Sequence, residues 1–141
     1  MFGEDQYRDF ATAVILLTEQ GIPMVREDNP KFKVAYLKFP GGRRDGKETP
    51  EECAVREMAE EIGATIDPAF LILLKKENRG SHDFYLFGTR MKELPRLKHV
   101  GDEGEDVGVF SPAGLKERRD VFPNHWKISE GQAFIYGTAA A

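Results

Sequence analysis

The sequence predicts an α/β fold in which a mixed β-sheet packs between helices. Three observations carry this reading. A continuous apolar run near the start, ATAVILL from Ala11 to Leu17, has the β-branched content of a buried strand. A helix with legible start and stop signals follows, flanked on both sides by strand-like segments. Helical segments then close the chain, as a layered α/β arrangement requires.

Taken in order, the polar residues 1–9 read as a loose lead-in or an edge element. After the first strand, Glu19-Gln20-Gly21 makes a turn and Ile22–Arg26 returns as a second strand, giving a hairpin. Asn29-Pro30 marks a loop, and Lys31–Phe39 alternates into Pro40-Gly41. Thr49 caps the central helix, and Pro50 fits its first position because it has no N–H to leave unpaired. Glu51 and Glu52 complement the positive end of the helix dipole. Ile62 ends the apolar period and Gly63 suits a left-handed stop, so the helix runs from near Pro50 to Ile62. Beyond it, Ala69–Lys75 reads as another buried strand, and Glu77–His82 as a polar turn with His82 hydrogen-bonded at its tip. Asp83–Met91, with alternating aromatics, completes a second hairpin. Gly101–Phe110 is an acidic, Gly-rich loop entering a short strand. Ser111-Pro112 opens a short helix to about Arg118, Pro123 breaks the chain, and Ser129 to about Tyr136 forms a closing helix packed by Ala133, Phe134, Tyr136 and Trp126. Residues 1–141 read as one domain with loose ends at about 1–6 and 138–141.

Composition narrows the function classes. The net charge of -4 argues against an extended nucleic-acid surface, so any polyphosphate partner must be held by local basic residues and metal. Cys53 is the only cysteine, which excludes an internal disulfide and suits a reducing compartment. No apolar run reaches the length of a membrane span, and a cytoplasmic location is expected.

The chemistry concentrates between Phe39 and Ala64. At about 100° per residue, Val55, Met58, Ala59 and Ile62 read as the packed stripe, with Glu57, Glu60 and Glu61 together on the opposite side. Carboxylates three and four residues apart repel one another, so a positive partner is expected among them. Hard oxygen donors without His or Cys suit Mg²⁺, Mn²⁺ or Ca²⁺ better than Zn²⁺. Gly41 and Gly42 let backbone approach a ligand closely, and Arg43, Arg44 and Lys47 set positive charge beside the acids. Cations beside a carboxylate-held metal suit a bridged phosphate. Lys38 and Arg26 are further candidate phosphate contacts, Arg26 reading first as an exposed strand end.

The spacing of Gly42, Glu48, Arg56-Glu57-Met58, Glu60-Glu61 and Gly63-Ala64 resembles the signature of the Nudix hydrolases, G-x5-E-x7-R-E-U-x-E-E-x-G-U. Every glycine and charged position matches, and Ala64 is smaller than the usual aliphatic residue. The resemblance implies an α/β/α sandwich with a central mixed sheet. It implies that Glu57, Glu60 and Glu61 ligate Mg²⁺, or Mn²⁺ in its place, with the Gly41 carbonyl as a further ligand. Arg56, with Glu48, would hold the helix carboxylates, while Gly42 and Gly63 shape the turns. Nudix hydrolases also place a Glu in a loop before a late strand, to complete the metal site or activate water; Glu105 is the first candidate and Glu103 the second, with Glu60 an alternative general base. Family members often carry Trp a few residues before the Gly-Gly pair; Leu37 stands there, leaving Tyr36 or Phe39 as the aromatic substitute. The implied partner is a small nucleotide, and homodimers are frequent in the family. The expected activity is Mg²⁺-dependent hydrolysis of a nucleoside diphosphate linked to a second moiety, with nucleotide sugars such as ADP-ribose ahead of (d)NTPs or dinucleoside polyphosphates. The alternative from another class is a nucleotide-sensing module without turnover.

Overall fold

The alternation of β1 (Phe10–Leu17) fixes the layers. Ala13 and Ile15 enter one apolar cluster and Val14 and Leu16 the other, and all four are fully buried. A strand apolar on both faces needs cover on both faces. The computed structural model describes residues 6–26 and 35–137. Residues 1–5, the Asn29-Pro30 loop, the first half of the Lys31–Phe39 segment and the 138–141 tail lie outside the described residues.

β1 pairs in parallel with β6 (Asp83–Arg90) and antiparallel with β4 (Gly41–Arg43). β5 (Ile72–Asn78) adds to the far side of β6, giving a mixed sheet of order β4-β1-β6-β5. A second sheet, β3-β2-β7, joins Leu37–Lys38, Ile22–Arg26 and Asp106–Phe110 in antiparallel fashion. α1 (Pro50–Ile62) covers one face of β1 and β6 through Cys53, Ala54, Met58 and Ile62. α2 (Pro112–Lys116), α3 (Pro123–Trp126) and α4 (Ser129–Tyr136) lie toward the other cluster, where Leu115, Phe134 and Ile135 are buried. The result is the expected layered α/β arrangement with a mixed central sheet.

Three expectations are corrected. The turn at 19–21 forms, with Thr18 bridging Gly21, but β1 and β2 do not pair as a hairpin. Both edges of β1 are taken by β4 and β6, so β2 leaves to head the second sheet. β5 starts at Ile72, because Asp67 caps a one-turn 3₁₀ helix over Pro68–Phe70. As an edge strand it is largely exposed rather than buried, with Leu73 at 50% and Phe70 before it at 68%. Pro123 opens α3 instead of breaking the chain, since a first-turn proline forfeits no hydrogen bond. The β5–β6 hairpin and the closing helix stand as expected.

Candidate active site

α1 begins with a capping box. The Thr49 hydroxyl accepts from the Glu52 N–H at 3.2 Å, and the Glu52 carboxylate accepts from the Thr49 N–H at 2.8 Å. It ends at Gly63 in the left-handed conformation, φ 76°. The buried positions are Pro50, Cys53, Ala54, Met58 and Ile62, while Ala59 is exposed. This rotates the packed stripe from the expected one. On a helical projection Glu57 and Glu61 fall between Cys53 and Ala54, so the acids line the inward side instead of the face opposite the core. Small Cys53 and Ala54 let the helix approach the sheet there, a contact invisible when only Val55, Met58, Ala59 and Ile62 are counted as apolar.

Glycine makes the approach feasible. A Cβ on Gly42 would stand 2.8 Å from both Glu57 carboxylate oxygens. The Gly41 N–H donates to Glu61 Oε1 at 2.6 Å, which ties β4 to the helix. Arg56 gathers the remaining charge. Its guanidinium donates to Glu48 from Nε and Nη2, at 2.6 and 2.9 Å, and from Nη1 to Glu57 and Glu60 at 2.8 and 3.0 Å. Arg56 holds the Glu48 carboxyl below its ordinary range. Glu57 goes the other way: burial pushes its carboxyl up, Arg56 opposes that, and the charges of Glu60 and Glu103 add to it.

The loop before β7 brings the other acids to the same place. Asp102, Glu103 and Glu105 join Glu57, Glu60 and Glu61 along a cleft of about 700 Å³. Glu105 is 6% exposed, and its Oε2 accepts from the Glu103 N–H at 3.2 Å. With Asp45, seven carboxylates line this cleft, against Arg43, Arg44 and Arg56. Among the described residues no three carboxylates converge on a single coordination point, because Glu61 faces the Gly41 N–H and Glu57 faces Arg56. The donor chemistry, carboxylate oxygens with no His or Cys among them, fits a hard divalent cation.

A second cleft, of about 650 Å³, opens on the other side of β4 and shares Gly41, Gly42, Arg43 and Glu61 with the first. Its walls are aromatic and basic. His125 lies near-parallel to Phe39 and Phe84, with interplanar angles of 3° and 18°, and edge-on to Phe122. Lys38 Nζ stands 5.0 Å from the Phe122 ring centre and Arg79 stacks 4.0 Å from that of Phe84. Burial, with Arg79 and Lys38 nearby, pushes the His125 imidazole down to about 3.

The predicted substrate contacts divide accordingly. Arg43 borders both clefts and is 2.9 Å from Asp9. Lys38 lines the aromatic cleft. Arg44 reaches the acidic one while bonding the Tyr7 and Glu48 carbonyls. Arg26 lies outside both clefts; its guanidinium bonds Asp120 at 2.7 Å and the Ala35 carbonyl. Tyr36 packs on Phe122, and Phe39 is 2% exposed. Sequence reasoning missed Arg79, Phe84, Phe122 and His125: Arg79 and Phe84 fall in segments read as turn and strand, and Phe122 and His125 beside the expected break at Pro123.

The Nudix domain matches residues 7–131, so the chain belongs to the Nudix family. No curated protein matches it significantly. Among solved structures, MutT from a study of Aliivibrio salmonicida and Vibrio cholerae is 23% identical, covers 90% of this chain and 98% of that one, and superposes with a TM-score of 0.71. A NUDIX-family hydrolase from Clostridium perfringens is 15% identical over 92% of this chain and 98% of that one, TM-score 0.69. A bifunctional NMN adenylyltransferase/ADP ribose pyrophosphatase from Francisella tularensis is 18% identical over 98% of this chain and 43% of that one, TM-score 0.72. These likenesses show the fold, and the matched domain classes the chain as a Nudix pyrophosphohydrolase. Hydrolases of this family act on small nucleotides and use divalent metals. No helix among the described residues is long and apolar enough to cross a membrane.

Proposed function

We propose that this protein hydrolyses the diphosphate linkage of a nucleoside diphosphate joined to a second moiety, with nucleotide sugars such as ADP-ribose as the preferred class and Mg²⁺ as the cofactor. The observation that carries the reading is the junction of the two clefts at Gly41, Gly42, Arg43 and Glu61. A diphosphate needs carboxylate-held metal and cations; a base or sugar needs ring faces and polar edges. The molecule offers the two environments side by side. The ADP ribose pyrophosphatase activity named for the Francisella neighbour agrees with this preference.

Glu57, Glu60 and Glu61 are the residues suited to hold Mg²⁺, with the Gly41 carbonyl as a further ligand and Glu105 either completing the set or activating the water. When bound, the cation supplies charge neutralisation on phosphate oxygens and acidifies an attacking water. Arg56 keeps the helix carboxylates mutually oriented through Glu48, Glu57 and Glu60. Arg43, at the junction, is placed to meet an outer phosphate oxygen. Glu105, buried at the cleft wall, is the first choice to orient the water and take its proton, with Glu103 next to it. Lys38 and the rings around His125 are placed to receive the nucleoside.

The test is incubation with Mg²⁺ and a panel of ADP-ribose, other nucleotide sugars, (d)NTPs, NADH and diadenosine polyphosphates, with products separated by chromatography and Glu61→Gln run in parallel. Release of a nucleoside monophosphate and a sugar phosphate, lost in the variant and on chelation, is the expected result. Faster cleavage of (d)NTPs would overturn the substrate preference. Mg²⁺-dependent nucleotide binding with no cleavage of any compound would mark a sensing module instead.

A further inference from the structure

We propose that Lys98 is a positioning residue, latching the acidic loop to the C-terminal end of α1 and thereby setting where Glu103 and Glu105 stand in the cleft. The catalytic consequence rests on the hydrolase reading above; the latch itself rests on hydrogen bonds.

A helix leaves its last four carbonyls without intrahelical donors. In α1 two of them are served by one outside segment. The Lys98 N–H donates to the Ile62 carbonyl at 2.9 Å, and the Asp102 N–H donates to the Glu60 carbonyl at 3.2 Å. Lys98 Nζ donates to the same Glu60 carbonyl at 3.1 Å and to Asp102 Oδ1 at 2.6 Å. α1 has no basic residue in its own last turn, so Lys98 brings a cation to the negative end of the dipole from elsewhere in the chain. Its stem crosses Gly63, where a Cβ would meet Lys98 Cγ at 2.9 Å. The ion pair with Asp102 is half exposed and contributes little by itself. The consequence lies in geometry, because the turn whose main chain receives these bonds carries Glu60 and Glu61 on its side chains.

Gly101 completes the join. Its N–H donates to the Glu105 carbonyl at 2.8 Å, and a Cβ there would stand 2.5 Å from Glu105 Oε2 and 2.8 Å from the Glu61 carbonyl. Glu105 is thus packed against the end of the signature helix at a point where only glycine fits. The base of the loop has its own support, the Val107 N–H to the His99 carbonyl at 3.0 Å and the Val100–Asp106 bridge. Loss of the Lys98 ammonium therefore leaves the tip, residues 101–105, tied to α1 through the Asp102 N–H but loosened, without unpairing β7.

Lys98→Met removes the donors and keeps the stem; Lys98→Arg retains a donor and charge. In the full chain, amide exchange at 101–105 should quicken about tenfold in Lys98→Met, with α1 unchanged. Turnover should fall about 10- to 100-fold with KM within about threefold, as expected when a supporting contact is lost. Lys98→Arg should recover most of it. The double variant Lys98→Met/Glu105→Gln should lose less than the product of the two single losses, because Lys98 acts in part through Glu105. Gly101→Ala, which leaves Lys98 in place, should show the same fall in kcat at constant KM. Unchanged loop exchange overturns the latch. A quickened loop with unchanged kcat, or additive losses in the double variant, overturns the positioning role. If the wild type cleaves nothing in the panel, the hydrolase reading fails, and the exchange measurement still decides the latch.

Discussion

The two clefts flanking β4 handle charge in opposite ways. On the acidic side charge is kept and tied down, with Arg56 bonded to Glu48, Glu57 and Glu60, Glu61 to a backbone N–H, and Glu105 to the Glu103 N–H. On the aromatic side charge is kept at the rim or suppressed: Lys38 and Arg79 lie on ring faces and His125 is held neutral. A site that must hold metal and polyphosphate needs fixed charge. A site that must tell one ring from another needs flat surface and few competing ions. On the proposed function, chemistry and selection are separated in space and meet at one Gly-Gly strand, so they should be separable by mutation.

The largest effect should come from the acidic cleft. Glu57→Gln should lower kcat by at least about a hundredfold, the scale for losing a ligating or proton-handling group. Its melting temperature should stay close to wild type, because the variant removes a buried carboxyl that burial already disfavours in its charged form. A large loss of melting temperature together with activity would show Glu57 to be a structural ion pair. Next in size, Gly42→Ala should cost about tenfold or more in kcat, since its Cβ would press on the Glu57 carboxylate. Steady-state kinetics beside a thermal melt separates that displacement from unfolding. On the aromatic side, Arg79→Ala should raise KM by about tenfold and leave kcat nearly unchanged, the pattern for lost ground-state binding. A fall in kcat with constant KM would erase the division between the clefts.

The same division explains what the sequence disclosed. α1 was legible to the residue, because Thr49, Pro50 and Gly63 are local signals and the capping box acts within one turn. Strands β1 and β2 were legible as segments, yet their pairing was not, because it depends on β4 and β6 competing for the edges of β1. The acidic cleft was visible as clustered carboxylates at helical spacing plus a second acidic loop. Its inward orientation was hidden, since Cys53 and Ala54 do not announce a helix face as Leu or Ile would. The aromatic cleft was nearly silent. Phe39, Arg79, Phe84 and His125 come from four separate segments, and only tertiary packing assembles them. Lys98 was silent for the same reason, a residue of an irregular stretch that acts on a helix end 36 positions earlier, 98 - 62.

The smallest effect tests whether the aromatic cleft truly excludes charge. With the His125 imidazole held near 3 and an unfolded imidazole near 6.5, the unfolded chain binds a proton between those values that the folded chain does not. Stability therefore rises with pH across that window and is lost as pH falls below about 6.5, by about 1 kcal/mol between pH 6.5 and 5.5. The depressed carboxyls, Asp120 beside Arg118 and Arg26, and Glu48 beside Arg56, act with the same sign, but only at more acid pH, where carboxylates begin to protonate. His82 is lowered too, by burial and Arg43, and contributes a background in the same window. Urea midpoints at pH 7 and 5.5 should accordingly drop in the wild type, and His125→Phe should flatten most of that drop. An unchanged slope in His125→Phe would mean that the imidazole accepts a proton in the folded state, so the aromatic cleft would carry charge much as the acidic one does.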